Sequence, residues 1–127
     1  MKATVIYYDS RNGTRVFRVP IPEDLKGKSF IPNVLRYLFE ATNPDSGNPF
    51  LDDLNAVVGL GLRSGCVGDI YIVDDKNYMV NCDGFVEITD TQLLFLQRCA
   101  WSNRLMGWNW LQKTYPELGP PVREKIF

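Results

Sequence analysis

Histidine is absent from this chain of 127 residues. Its absence excludes Ser-His-Asp and Cys-His catalysis, imidazole metal ligands and the side chain that most often moves protons near neutral pH. Cysteine is scarce, and the three cysteines are Cys66, Cys82 and Cys99. Their number is odd, and they are never spaced as CxxC pairs. Neither a disulfide framework nor a zinc site is expected from them. The residue types therefore predict no metal, no cofactor and no enzymatic activity.

Long apolar runs and an excess of one charge are also lacking. No run approaches the roughly 18 apolar residues that a membrane span needs, so no membrane contact is expected. The first eight residues have the composition of a strand and lack a cleavage site, which predicts a cytoplasmic protein. The formal net charge is −1, so no general cationic field is available to hold phosphate backbones.

Alternating and β-branched runs predict two hairpins and one further strand after the second hairpin. Asn12-Gly13 lies between the first two runs, and both residues tolerate the positive φ angles of a hairpin turn. Pro20 cannot donate a ladder hydrogen bond and is expected to end the second run. The predicted strands cover residues 4–8, 14–19, 70–73, 78–81 and 85–88, with residues 74–77 as the second turn.

Three segments have the apolar spacing of a helix. Thr89 and Gln92 have the spacing of a capping box, which places a helix start directly after Thr89. Gly107 is expected to bend or break the chain before Trp108. The predicted helices cover residues 30–41, 51–58 and 90–103.

This order of elements, strands and helix followed by strands and helix, predicts the fold class. Short antiparallel connections favour an α+β domain in which a small antiparallel sheet packs against one or two helices. The length fits a single domain over residues 1–127. Prolines and a glycine near the C-terminus are expected to leave residues 116–127 as an extended or disordered tail.

The glycine-rich loop over residues 61–69 is the first candidate site. Its backbone N–H groups can hold an anion, and Arg63 can add a bidentate contact. The alternative is that the glycines serve positive-φ turns while an aspartate caps the loop. No phosphate-loop lysine and serine follow, so the nucleotide-binding signature is missing. The candidate contacts are Arg63, Ser64, Gly68 and Asp69.

Carboxylates around the second hairpin form another candidate set. Paired carboxylates can hold a divalent cation or carry out acid–base chemistry. The turn composition and the alternation along short strands favour solvated side chains instead, and the ligand spacing of a calcium loop is missing. The residues are Asp69, Asp74, Asp75, Asp83 and Glu87.

The last predicted helix and the residues after it carry aromatic and basic side chains. On a continuous helix these would share one face that can anchor a protein or stack on bases, since Trp and Arg dominate interface hot spots. The alternative is that the tryptophans pack on the sheet while the arginines extend to solvent. Two apolar stripes exceed what one sheet face needs, which favours a partner or a homodimer. The face consists of Arg98, Trp101, Arg104, Leu105 and Trp108.

The stretch Arg63-Ser64-Gly65-Cys66-Val67-Gly68-Asp69-Ile70 resembles the Arg-Ser-x-Ser-Val-Gly-Asp-Val segment of YodL-like domains of small phage and plasmid proteins. The order of Tyr78-Met79-Val80 and Gly84-Phe85 also resembles that family, and the likeness covers about residues 30–88. Cys66 stands where the family has serine. The resemblance implies a mobile-element protein that works in the host cytoplasm and binds a host or defence component, in the manner of an anti-CRISPR inhibitor.

The leading hypothesis from the sequence is a non-enzymatic protein that binds another macromolecule through the Trp and Arg face. The expected partner is a protein. The first alternative is a nucleic-acid-binding regulator that uses the same helix, with Lys113 and Arg123 adding backbone contacts. The second alternative is a protein that sequesters a small molecule or nucleotide through residues 63–69.

Overall fold

The computed structural model describes residues 2–9, 13–25, 30–41 and 66–123. Its five strands form one antiparallel sheet in the order β2-β1-β3-β4-β5. The strands are β1 (Lys2–Asp9), β2 (Gly13–Pro20), β3 (Ile70–Val73), β4 (Lys76–Asn81) and β5 (Gly84–Ile88). The helices are α1 (Phe30–Ala41), α2 (Asp90–Arg98), α3 (Trp101–Arg104) and α4 (Trp108–Thr114), followed by a 3-10 turn at Pro116–Leu118.

The predicted α+β class, with a small antiparallel sheet and packed helices, is confirmed. Each predicted strand is present with bounds moved by no more than two residues, and α1 has the predicted bounds. The second turn is shorter than predicted. It contains only Asp74 and Asp75, because Lys76 and Asn77 already pair with β3. The predicted helix over residues 51–58 lies outside the described residues.

One side of the sheet is covered by α1. The helix points Val34, Leu35 and Leu38 toward the strands, and all three are fully buried. Burying an aliphatic side chain of this size stabilises the fold by about 1.5–3 kcal/mol. The strands contribute residues that alternate along the chain, as the two-residue repeat of a strand requires. They are Ala3, Val5, Tyr7, Val19, Tyr71, Val73, Tyr78, Val80 and Phe85.

The other side of the sheet is covered by the C-terminal helices. Trp108 and Leu111 of α4 and Leu96 of α2 are fully buried there. Their partners on the strands are Ile6, Ile70, Met79, Val86 and Ile88. The middle strands are therefore buried on both faces, which explains why β3 is a continuous apolar run and does not alternate.

The C-terminal residues are attached to the sheet. The Gln92 amide nitrogen donates to the carbonyl oxygens of Leu118 (3.0 Å) and Pro120 (2.9 Å). The Glu87 backbone N–H donates to the Arg123 carbonyl oxygen at 2.7 Å, so β5 gains an isolated bridge. Of the predicted extended or disordered tail over residues 116–127, Pro116–Leu118 instead form a 3-10 turn, and residues 119–123 are held against α2 and β5. The remaining four residues lie outside the described part.

Candidate binding surface

The predicted helix over residues 90–103 is wrong in length, because α2 ends at Arg98. Cys99 and Ala100 are extended, with ψ angles of 150° and 142°. Gly107 then breaks the chain again at a φ of 88°, as predicted. These bends bring α4 back onto the sheet, where Trp108 is fully buried. Burial of that indole offsets the helical hydrogen bonds that the two breaks remove.

The five residues of the predicted Trp and Arg face do not share one exposed face. The premise of a continuous helix is wrong, so their spacing of three, four and seven residues no longer places them side by side. Trp108 lies in the core and is 0% exposed, and Arg104 is only 4% exposed. Arg98 is exposed, whereas Trp101 and Leu105 are half-buried. Three of the five residues therefore remain accessible to a partner.

Arg104 is buried because its backbone packs against the turn that precedes β3. A Cβ atom added at Gly68 would lie 2.9 Å from the Arg104 Cβ and 3.1 Å from its carbonyl oxygen. Only a residue without a side chain fits this approach. The first candidate site and the Trp and Arg segment, separate in sequence, therefore meet at Gly68 and Arg104.

Gly68 and Asp69 form a β-bulge opposite Val80. The Gly68 N–H donates to the Val80 carbonyl oxygen at 2.9 Å, and the Val80 N–H donates to the Asp69 carbonyl oxygen at 2.8 Å. Two residues thus oppose one, and the first is a glycine with a φ of 98°. The Asp69 carboxylate accepts from the Cys66 N–H at 2.9 Å and is buried.

These contacts give Asp69 the capping role that was the alternative to ligand binding. The same turn is also closed by a hydrogen bond from the Asp69 N–H to the Cys66 carbonyl oxygen at 3.2 Å. Gly68 is therefore needed for its backbone conformation. The other two candidate contacts of the loop, Arg63 and Ser64, lie outside the described residues.

The sequence alone missed two polar side chains that hold the helical layer together. Asn81 on β4 accepts from the Trp108 N–H through its Oδ1 at 3.0 Å, so a strand residue caps α4. Asn77 donates to the Asp90 carboxylate at 2.7 Å and joins β4 to the first turn of α2. No local pattern identifies either residue, because both partners are distant in sequence.

The sequence predicted the capping role of Gln92 but not its contacts with the C-terminal segment. The capping box is confirmed, because the Gln92 N–H donates to Thr89 Oγ1 at 3.1 Å and the Thr89 N–H donates to Gln92 Oε1 at 2.9 Å. The two donor bonds to Leu118 and Pro120 are additional. One side chain therefore starts α2 and holds the C-terminal segment against it.

Aromatic contacts join α2 to the end of α4. Phe95 and Tyr115 meet edge to face with ring centroids 5.5 Å apart, and Trp110 meets Tyr115 at 6.3 Å. The Asn103 amide nitrogen donates to the Tyr115 hydroxyl at 2.8 Å. Tyr115 thus links three helical segments, which fixes the shape of the surface that they present.

The outer side of the helical layer carries exposed apolar side chains. Leu94 is 57% exposed and Met106 is 58% exposed. Val122, which follows the helices, is 56% exposed, and the fourth such residue, Val16, lies on β2. Three of the four large hydrophobic residues that are exposed in the described part therefore belong to residues 90–123. The surplus apolar surface expected from the two stripes is present at Leu94.

The thiol of Cys99, directly after α2, lies in surroundings that disfavour its reactive, deprotonated form. Burial raises the pKa of the Cys99 thiol, with the Glu117 carboxylate adding to the effect and Arg104 opposing it. A raised pKa keeps this thiol protonated at neutral pH, and the protonated form is a poor nucleophile. On the other side of the sheet, burial and the Glu87 carboxylate raise the pKa of Tyr78 to about 12, while Arg123 opposes the shift.

The predicted carboxylate set is dispersed. Asp69 is buried in its turn, whereas Asp74, Asp75 and Asp83 are exposed and Glu87 is half-buried beside Tyr78. No group of three or more metal-ligating side chains occurs among the residues that the structure describes. In the same part of the chain, no helix has the length and apolar character needed to cross a membrane.

Comparisons of this chain with protein-family models, with curated proteins and with solved structures gave no match. The resemblance to YodL-like domains therefore stays a prediction from the residues that carry it.

Proposed function

We propose that this chain is a non-enzymatic binding protein that contacts another protein through the outer surface of its helical layer. We define that surface, the outer helical surface, by three predicted residues and two exposed neighbours. Its members are Leu94, Arg98, Trp101, Leu105 and Met106.

The observation that supports this proposal is the distribution of exposed apolar side chains. Leu94 within α2 and Met106 after α3 are both more than half exposed, whereas Leu96, Trp108 and Leu111 of the same layer are fully buried. Because each side chain is already partly buried, a partner that covers the rest would gain about 1–2 kcal/mol from each. Arg98 lies one helical turn after Leu94 on α2 and is exposed, so it can supply a charged contact beside that residue.

The resemblance to phage and plasmid proteins supplies the class of partner, which is a component of the host cell or of its defence. Nucleic acid is the less favoured partner. Arg104, which the nucleic-acid hypothesis needs, is buried, although Arg98, Lys113 and Arg123 are exposed. The chain as a whole has a net charge of −1 and offers no broad cationic field.

Affinity capture from a nuclease-treated bacterial lysate tests the proposal. We expect the wild-type chain to retain one stoichiometric protein that remains bound as salt rises from 50 to 300 mM. Binding that disappears on nuclease treatment, or that falls steeply with salt, would instead support nucleic acid.

The capture needs a matched surface control. Val16→Glu places a charge at a position of similar exposure on β2, outside the outer helical surface. This variant should retain the partner, whereas Leu94→Glu should lose at least tenfold in affinity. Equal retention by both variants would place the contact elsewhere and overturn the proposed surface.

A further inference from the structure

A pocket lies on the α1 side of the sheet, at the end of the β4–β5 hairpin. Its volume is about 400 Å³, and α1 contributes Phe39 while β5 contributes Phe85. Val67 and Cys66, from the turn before β3, complete the lining together with Val80 and Cys82. Pockets that bind small molecules fall in the range of about 300–1,000 Å³.

The chemistry of this lining is apolar. None of the lining residues that the structure describes carries a charge. Asn81 is the amide side chain among them, and its polar atoms already have partners. Its Oδ1 accepts from the Trp108 N–H, and its nitrogen donates to the Asp83 carboxylate at 3.1 Å. A ligand would therefore meet aromatic, aliphatic and thiol groups.

We propose that this pocket binds a small, uncharged aromatic molecule. Phe39 and Phe85 come from different elements and give the lining two rings, of which Phe39 is half-buried while Phe85 is buried and packs against Tyr71 with ring centroids 5.9 Å apart. A charged ligand is disfavoured, because it would lose its hydration without gaining an opposite charge. The pocket shares no lining residue with the outer helical surface, so the two proposals are tested by different variants.

A pair of matched probes tests the charge preference. 2-Naphthol is neutral at pH 7, whereas 2-naphthoic acid presents a similar ring system with a negative charge. We expect 2-naphthol to bind with a dissociation constant on the order of 0.1–1 mM, which suits a ligand of its size. We expect the naphthoate to bind at least tenfold more weakly. Equal affinities, or no binding of 2-naphthol at 2 mM, would overturn the proposal.

Methyl NMR and a substitution that fills the pocket test the location of binding. The methyl signals of Val67 and Val80 should shift on titration with 2-naphthol, while those of Val16 and Val122 should not. Cys82→Phe adds a ring at an exposed position of the lining and should lower the affinity at least fivefold. Val16→Phe adds the same ring on β2, outside the pocket, and should leave the affinity for 2-naphthol unchanged. Shifts confined to other residues, or an equal effect of both variants, would refute this site.

Discussion

The two sides of the sheet are covered in different ways. On one side, α1 is the helix that the described residues contribute, and it lies on the strands through apolar contacts. On the other side three short helices are tied to the sheet by side-chain hydrogen bonds from β4 and by the Gln92 contacts to the C-terminal segment. The first layer is determined by its own periodicity, whereas the second depends on residues elsewhere in the chain.

This difference explains which parts of the fold the sequence predicts. A helix whose apolar stripe faces one sheet can be identified locally, and α1 matches its predicted bounds. In the helical layer the direction of the chain is decided by the Asn81 cap on α4 and by the approach of Arg104 to Gly68. Substitutions on both sides of the sheet test this contrast.

Trp108→Ala should have the largest effect, because it empties the centre of the helical layer. Loss of a fully buried tryptophan is expected to destabilise the fold by about 3–5 kcal/mol. Trp110→Ala, at a half-buried position on the same helix, should cost only about 1–2 kcal/mol. Chemical denaturation of both variants measures the difference, and equal losses would show that Trp108 is not a core residue.

Gly68→Ala should separate close packing from backbone strain. The new Cβ would meet Arg104 at 2.9 Å while φ stays near 98°, so we expect a loss of about 3 kcal/mol. Gly13→Ala has a similar positive φ of 75° but nothing within 4 Å, and it should lose only about 1 kcal/mol. Because the substitution is the same, unfolded-state effects cancel in the comparison. Similar losses in a urea titration would contradict the Arg104 contact.

Tyr78 should make the α1 side of the sheet sensitive to alkaline pH. Its pKa is about 12 in the folded chain against 10.0 as the ordinary value, so the folded state holds the phenol proton more tightly. Its contribution is fully present below pH 10 and is lost as pH rises toward 12, at about 1.4 kcal/mol per pH unit. Denaturant titrations between pH 9 and 12 measure this slope. Tyr78→Phe should flatten it, and an unchanged slope would contradict the assignment.

Gln92→Ala should loosen the helical layer at its start and its end together. The substitution removes half of the capping box and both donor bonds to Leu118 and Pro120, so we expect a loss of about 2 kcal/mol. Hydrogen exchange should also accelerate at the Val122 and Arg123 amides. Gln97→Ala, at an exposed position of α2, should change neither quantity. A stable variant with protected C-terminal amides would show that Gln92 does not hold the C-terminal segment.

Asp75→Gly should give the smallest change, and it should be stabilising. Asp75 has a φ of 63°, a region that costs a residue with a side chain about 1 kcal/mol and glycine very little. Glycine also raises the conformational entropy of the unfolded chain, which offsets part of this, so we expect a net gain of at most about 0.5 kcal/mol by thermal unfolding. Asp24→Gly is the control, since Asp24 is exposed and its φ is not positive, and it should be neutral or slightly destabilising. A loss at Asp75 would show that its side chain stabilises the turn.

The candidate site was predicted less well than the fold, for a physical reason. Spacing along a continuous helix placed Trp108 beside Trp101, but the breaks at Cys99–Ala100 and Gly107 turn Trp108 into the core. Cys99 and Ala100 have no strong preference for extended backbone, so the first break could not be identified locally. The glycine at position 107 did signal the second. The outer position of Leu94 follows from the helical period of α2 and was within reach of the sequence.

The central claim is that the outer helical surface binds a partner while the inner residues of the same helices hold the fold. The most direct measurement is the melting temperature and the partner affinity of the double variant Leu94→Glu with Met106→Glu, beside Val16→Glu. We expect a melting temperature within about 2 °C of wild type and loss of the partner for the double variant alone, because exposed substitutions change stability little. Retention of the partner, or unfolding of the double variant, would contradict it.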